Sequence, residues 1–171
     1  MEEVILASCR DGAGEGRSIR WKAFGIDCFS PPGWELIDAR IHPMDAELHF
    51  TDNALYDDRV ASEAIVRRLG MADTWYSGDA EAFLLVKERG HEFRFKETDY
   101  EGHRAVEAVA DTDRRLYHRL TGRRRIRREL IWLCEPMNSL FRVTTLSTPR
   151  HAIEPRKFSS RCRHDWVPAY E

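Results

Sequence analysis

The densest apolar pattern in the chain runs from Ile126 to Ser147, IRRELIWLCEPMNSLFRVTTLS. Leu130, Trp132 and Cys134 alternate with Ile131 and Leu133, so both faces of this strand are apolar, which predicts burial on both faces. Glu135-Pro136-Met137-Asn138-Ser139 supplies a turn, because proline fixes φ and asparagine tolerates unusual dihedrals. Leu140 to Leu146 returns with Phe141 and Val143 on one face. The pattern predicts a β-hairpin at the centre of a sheet.

Further strands are expected at Glu3–Ala7, Ser18–Phe24 and Ile26–Phe29, the last running into the turn Pro31-Pro32-Gly33-Trp34. Ile37, Ala39 and Ile41 alternate with polar neighbours, turn at Pro43, and are answered by Leu48 and Phe50, a hairpin with those residues inward. If that turn pairs His42 with Glu47, Arg40 faces His49 on a solvated surface. Residues 57–69 fit a helix ended by Arg67, Arg68 and Gly70, and equally a strand with Val60, Ser62, Ala64 and Val66 on one face. Asp79 to Arg89 reads as a helix capped by Ser77 or Asp79, with Phe83, Leu85 and Val86 inside. His91–Lys96 and Tyr100–Asp111 are strands, and Glu154-Pro155 starts a helix to about Arg163 that buries Phe158 and Cys162 at i and i+4.

Composition narrows the class. With 171 residues, 42% of them hydrophobic, the chain is expected to build one domain around a real core. No apolar run approaches the ~20 residues that span a bilayer, and the acidic start MEEVILAS is short for a signal peptide. The expectation is a cytoplasmic protein without membrane contact. Its four cysteines form no CxxC pair and read as buried thiols in a reducing compartment. Gly12, Gly14 and Gly16 miss the spacing of a phosphate loop and precede a strand, which argues against nucleotide binding there.

Charge is segregated along the chain. Residues 1–113 carry 13 basic and 24 acidic side chains, whereas residues 114–171 carry 14 and 5. The basic half opens with Arg114 to Arg128, RRLYHRLTGRRRIRR, holding Arg114, Arg115, Arg119, Arg123, Arg124, Arg125, Arg127 and Arg128. Guanidinium forks suit carboxylate or phosphate, and the interleaved Tyr117 and His118 suit stacking. This segment is the expected contact for an acidic protein surface, for a second copy of the chain through its acidic half, or for nucleic acid. The competing reading pairs the arginines with the acidic half of the same chain.

The second candidate chemistry is Cys162-Arg163-His164, with Cys134 as a further donor. Thiolate and imidazole suit zinc or another transition metal, and the remaining ligands would come from among Cys134, Cys28, His103 and His151. Nothing in the sequence sets a base or an oxyanion hole beside Cys162, so a thiol nucleophile is the weaker alternative.

The order of elements resembles the PsbP-like fold family. The resemblance rests on Trp21-x-x-Phe24-x-Ile26 leading to Pro31-Pro32-Gly33-Trp34, on Leu48-His49-Phe50 with Asp52, and on Gly102-His103-Arg104-Ala105. It also rests on the hairpin around Trp132 and Phe141 and on Lys157-Phe158-Ser159-Ser160-Arg161-Cys162. It implies an α+β fold, an antiparallel sheet flanked by helices in an α/β/α sandwich, with a strand over residues 59–67. It also implies a non-enzymatic binding or accessory role. Two functions therefore stand as expectations: an accessory module that uses its arginine segment, and a metal- or thiol-dependent protein with a site at Cys162 and His164.

Overall fold

A computed structural model describes residues 18–52, 62–88, 91–112 and 124–158, together with Ser160 and Cys162. Within these, nine strands dominate: β1 (Ile19–Ala23), β2 (Ile26–Ser30), β3 (Glu35–His42), β4 (Asp45–Thr51), β5 (Glu63–Gly70), β6 (Phe93–Tyr100), β7 (His103–Asp111), β8 (Ile126–Cys134) and β9 (Ser139–Ser147). Strands β3 to β9 form one antiparallel sheet in the order β3-β4-β5-β9-β8-β7-β6, and β1-β2 form a separate hairpin. The helices are α1 (Ala72–Trp75) and α2 (Ala80–Lys87), with short 3-10 turns η1 (Pro149–His151) and η2 (Pro155–Lys157). Among the described residues the chain is predominantly β, which corrects the expectation of a helix-flanked α+β sandwich of the PsbP-like kind.

The β8–β9 hairpin lies at the centre because it is apolar on both faces. Leu130, Trp132, Cys134, Phe141 and Val143 face one core, which also contains Ile26 and Cys28 of β2, Leu48 and Phe50 of β4, and Phe158. Ile131 and Leu140 face the other, beneath Ala72 of α1 and Leu84 of α2. The first core is aromatic: Trp132 stacks on Phe141 at 5.3 Å, Tyr100 sits 4.7 Å from Trp132, and Phe158 meets Trp34 edge-on at 4.8 Å. Such pairs add roughly 0.5–1.5 kcal/mol each beyond the area they bury.

Several local expectations change for tertiary reasons. Over residues 63–70 the strand wins, since Ala64 and Val66 are buried on one face while Arg67 pairs with Asp45 on the other. Residues 57–61, the rest of that ambiguous stretch, lie outside the described residues, as do the strand expected at Glu3–Ala7 and the glycine loop. The β3–β4 turn is tighter than the pairing of His42 with Glu47 requires: His42 pairs with Asp45, Arg40 with Glu47 and Asp38 with His49. A bulge between Leu36 and Asp38 turns Ile37 outward, so it is exposed, whereas Leu48 and Phe50 are buried.

Helix α2 starts where expected, with the Asp79 carboxylate accepting from Ala82 N at 2.9 Å. Its buried face is Ala80 and Leu84, one turn apart, leaving Leu85 and Val86 exposed. The helix expected from Glu154 is only the single turn η2. Beyond it, Ser160 forms a backbone bridge with Cys28 of β2. A short isolated helix is marginal, and here both Phe158 and Cys162 pack in the aromatic core. No described helix is long and apolar enough to cross a membrane.

Candidate metal centre

Three chain segments meet at one end of the first core. Cys134 ends β8, on the same face as Leu130 and Trp132, and is fully buried. His103 begins β7 directly after the two-residue turn Glu101-Gly102, whose φ values of +50° and +78° suit a tight hairpin. Cys162 follows Ser160, which is pinned by its bridge to Cys28 and by donating its backbone N–H to the Tyr100 hydroxyl at 3.0 Å. The ligand atoms of His103, Cys134 and Cys162 consequently all lie within 4.8 Å of one another.

The surroundings keep the Cys162 thiol protonated when no metal is bound. Burial pushes Cys162 up to about 12; the indole N–H of Trp132, 3.2 Å from its sulfur, works in the opposite direction, and the nearby Cys134 sulfur adds to the rise. Cys28 is also raised to about 12, by burial and then by Asp27. A thiol so protonated is a poor nucleophile, whereas a soft cation displaces the proton and gains two sulfur donors and an imidazole. Of the remaining ligands considered, Cys28 lies in β2 and His151 in η1; neither belongs to this cluster. His164 lies outside the described residues.

A cleft of about 690 Å³ opens on the other face of the sheet, lined by Val106, Ile131 and Leu133 and by Asp79 and Glu81 at the start of α2; it reaches His103, but neither Cys134 nor Cys162 lines it.

Three of the four described arginines of the basic segment are engaged with acids. Arg124 pairs with Asp111 at 2.6 Å and Arg125 with Glu63 at 3.0 Å. Arg127 reaches Glu88 at 2.8 Å and Glu129 at 2.5 Å. Three of these acids, Glu63, Glu88 and Asp111, belong to the acidic half of the chain. Arg128 is half-buried in β8. Arg114, Arg115, Arg119 and Arg123 lie outside the described residues.

Sequence reasoning missed one polar group, the fully buried Glu129 in β8. It accepts from Arg142, Arg127 and the Thr144 hydroxyl, and Arg142 also donates to Glu88 at the end of α2 at 2.6 Å. Burial works against both Arg142 and Glu88. Pairing outweighs it: Arg142 is raised by Glu129 first and then Glu88, and Glu88 is lowered by Arg142 first and then Arg127. The signal was a lone acid inside an apolar strand, ELIWLC. No protein-family model matches the chain, and no curated protein matches it.

Proposed function

We propose that this protein binds a single thiophilic transition-metal ion, of which zinc is the first candidate, through Cys134, Cys162 and His103. The convergence of these three donor atoms within 4.8 Å carries the reading. Two thiolates and an imidazole form a donor set suited to zinc and disfavour magnesium or calcium, which take oxygen ligands. Thiol catalysis without metal has less support, because Cys162 is held at about 12. Docking of an acidic partner or nucleic acid on the arginine segment also has less support, since Arg124, Arg125 and Arg127 already hold carboxylates of the same chain.

The test is metal content of the reduced protein after zinc or cobalt(II) loading and desalting. The expected result is about one ion per chain and, with cobalt, the intense charge-transfer absorption of thiolate ligation. Cys134→Ser, Cys162→Ser and His103→Ala should each lose the ion while keeping the far-ultraviolet circular dichroism of a β protein. Reduced wild-type protein that retains no metal would sink the proposal.

A further inference from the structure

We infer that the cleft on the helix-covered face of the sheet binds a linear aliphatic polyamine, its ammonium groups on the rim and its methylenes on the floor. The inference is independent of the metal reading, since neither Cys134 nor Cys162 lines this cleft.

The cleft exists because the described helices are small beside the sheet. Helix α2 buries Ala80 and Leu84 in a cluster with Ala108 of β7, Ile131 of β8 and Leu140 of β9. From β8 the sheet continues through β7 to its edge strand β6. Register puts Glu97, Val106 and Ile131 in one row across β6, β7 and β8, and cross-strand partners share a face. Leu133, two positions after Ile131, joins that face. Val106 and Leu133 are only partly buried there. With Ile131 they form the apolar floor of a cleft of about 690 Å³, a volume suited to a small ligand.

The rim is acidic on more than one side. Asp79 and Glu81 stand at the start of α2, Glu97 on β6 and Glu135 in the turn after β8. Against these four carboxylates the lining supplies one guanidinium, Arg104, which Glu97 holds at 2.6 Å. Such a cleft concentrates cations. Carboxylates flanking an apolar strip select the kind of cation. A bare metal ion would meet the rim and leave the floor wet. A purely apolar molecule would cover the floor and strip water from the carboxylates without compensation. A methylene chain with an ammonium at each end satisfies both surfaces, and each methylene taken out of water adds to the affinity.

The experiment is calorimetric titration of the full chain at low salt with spermidine, cadaverine and magnesium. Magnesium carries the charge of doubly protonated cadaverine without its methylenes. Saturable binding of one spermidine per chain is expected, with cadaverine several-fold tighter than magnesium. Glu81→Gln combined with Glu135→Gln should weaken spermidine roughly tenfold at unchanged circular dichroism. Magnesium binding as tightly as cadaverine would reduce the cleft to a patch of surface acid and overturn the inference. Unaltered spermidine affinity in the double variant would overturn it by placing the amine elsewhere. Absence of spermidine binding would also overturn it, and an arginine-rich peptide that then bound would make the cleft a protein-docking groove. The titration repeated after chelation of metal and desalting should give the same affinity. Binding lost on chelation would assign the amine to the metal centre instead of the cleft, whereas failure of spermidine alone leaves the metal reading intact.

Discussion

Arg142 grips the buried carboxylate of Glu129 with two hydrogen bonds of 2.9 Å, one from Nε and one from Nη2, across the β8–β9 ladder. The same Nη2 reaches Glu88 at the C-terminal end of α2, so one guanidinium joins the central hairpin to the helix that covers it. Two acids and two arginines, Glu88, Glu129, Arg127 and Arg142, balance to zero charge on this face.

Glu129→Ala should destabilise the fold by about 3–5 kcal/mol, because it leaves Arg142 buried beside an unfilled space. Glu129→Leu combined with Arg142→Met should cost much less, since the remaining Glu88–Arg127 pair is still neutral. Urea unfolding of the three proteins checks this; a double variant as unstable as Glu129→Ala would refute the charge argument.

Stability should fall in acid through Glu88. Its folded pKa lies below the ordinary 4.5, so its contribution is complete above 4.5 and is lost as pH falls through the folded value. Thermal melts of wild type and Glu88→Gln should converge as the pH drops below about 4.5. Parallel curves would mean that the Glu88 contacts add nothing.

The alkaline side should show the buried Cys28 thiol and the half-buried Cys162 thiol. Cys28 and Cys162 are raised from 9.0 to about 12, so the metal-free protein keeps their contribution below pH 9 and loses it as pH climbs toward 12. Metal binding should oppose this and strengthen with pH, by about tenfold per unit for each thiol proton displaced near neutrality. Competition with a chromophoric chelator at three pH values measures the slope, and a pH-independent affinity would exclude thiolate ligation.

Trp132→Phe removes the indole N–H that reaches Cys162 at 3.2 Å while keeping a ring against Phe141 and Tyr100. Loss of a hydrogen bond to a ligating atom should weaken metal binding by roughly tenfold. The same chelator competition reads the change, and unaltered affinity would show that the indole only packs.

Gly25→Ala should cost about 1–2 kcal/mol. Gly25 has φ +80°, and an added Cβ would lie 3.0 Å from the Arg68 Nε, whose guanidinium bonds the Phe24 carbonyl and the Ser139 hydroxyl. Chemical denaturation measures it, and an unchanged midpoint would show that the β1–β2 turn relaxes freely.

The central hairpin was legible because its two apolar faces are written into adjacent residues. The bounds of α2 were legible through Asp79, and Phe83 packs inward as its pattern implies, but Leu84, Leu85 and Val86 are equally apolar and only the sheet beneath selects Leu84. Glu154-Pro155 opens a 3-10 turn as readily as a helix, and the bridge of Ser160 to Cys28 decided between them. The cluster could be named only as a set of possible donors. Cys134 is separated from His103 by 31 positions and from Cys162 by 28, and no local spacing links them.

By itself, then, the sequence determined the strands whose side chains alternate, the main turns and the central place of β8 and β9, because those depend on dihedral preference and on period-two burial within a few residues. Only the tertiary structure decided that the described elements are mostly β, that Arg124, Arg125 and Arg127 face carboxylates, and that His103 joins Cys134 and Cys162. Those outcomes depend on interstrand register and on which charges and thiols leave water together, properties of contacts between distant segments.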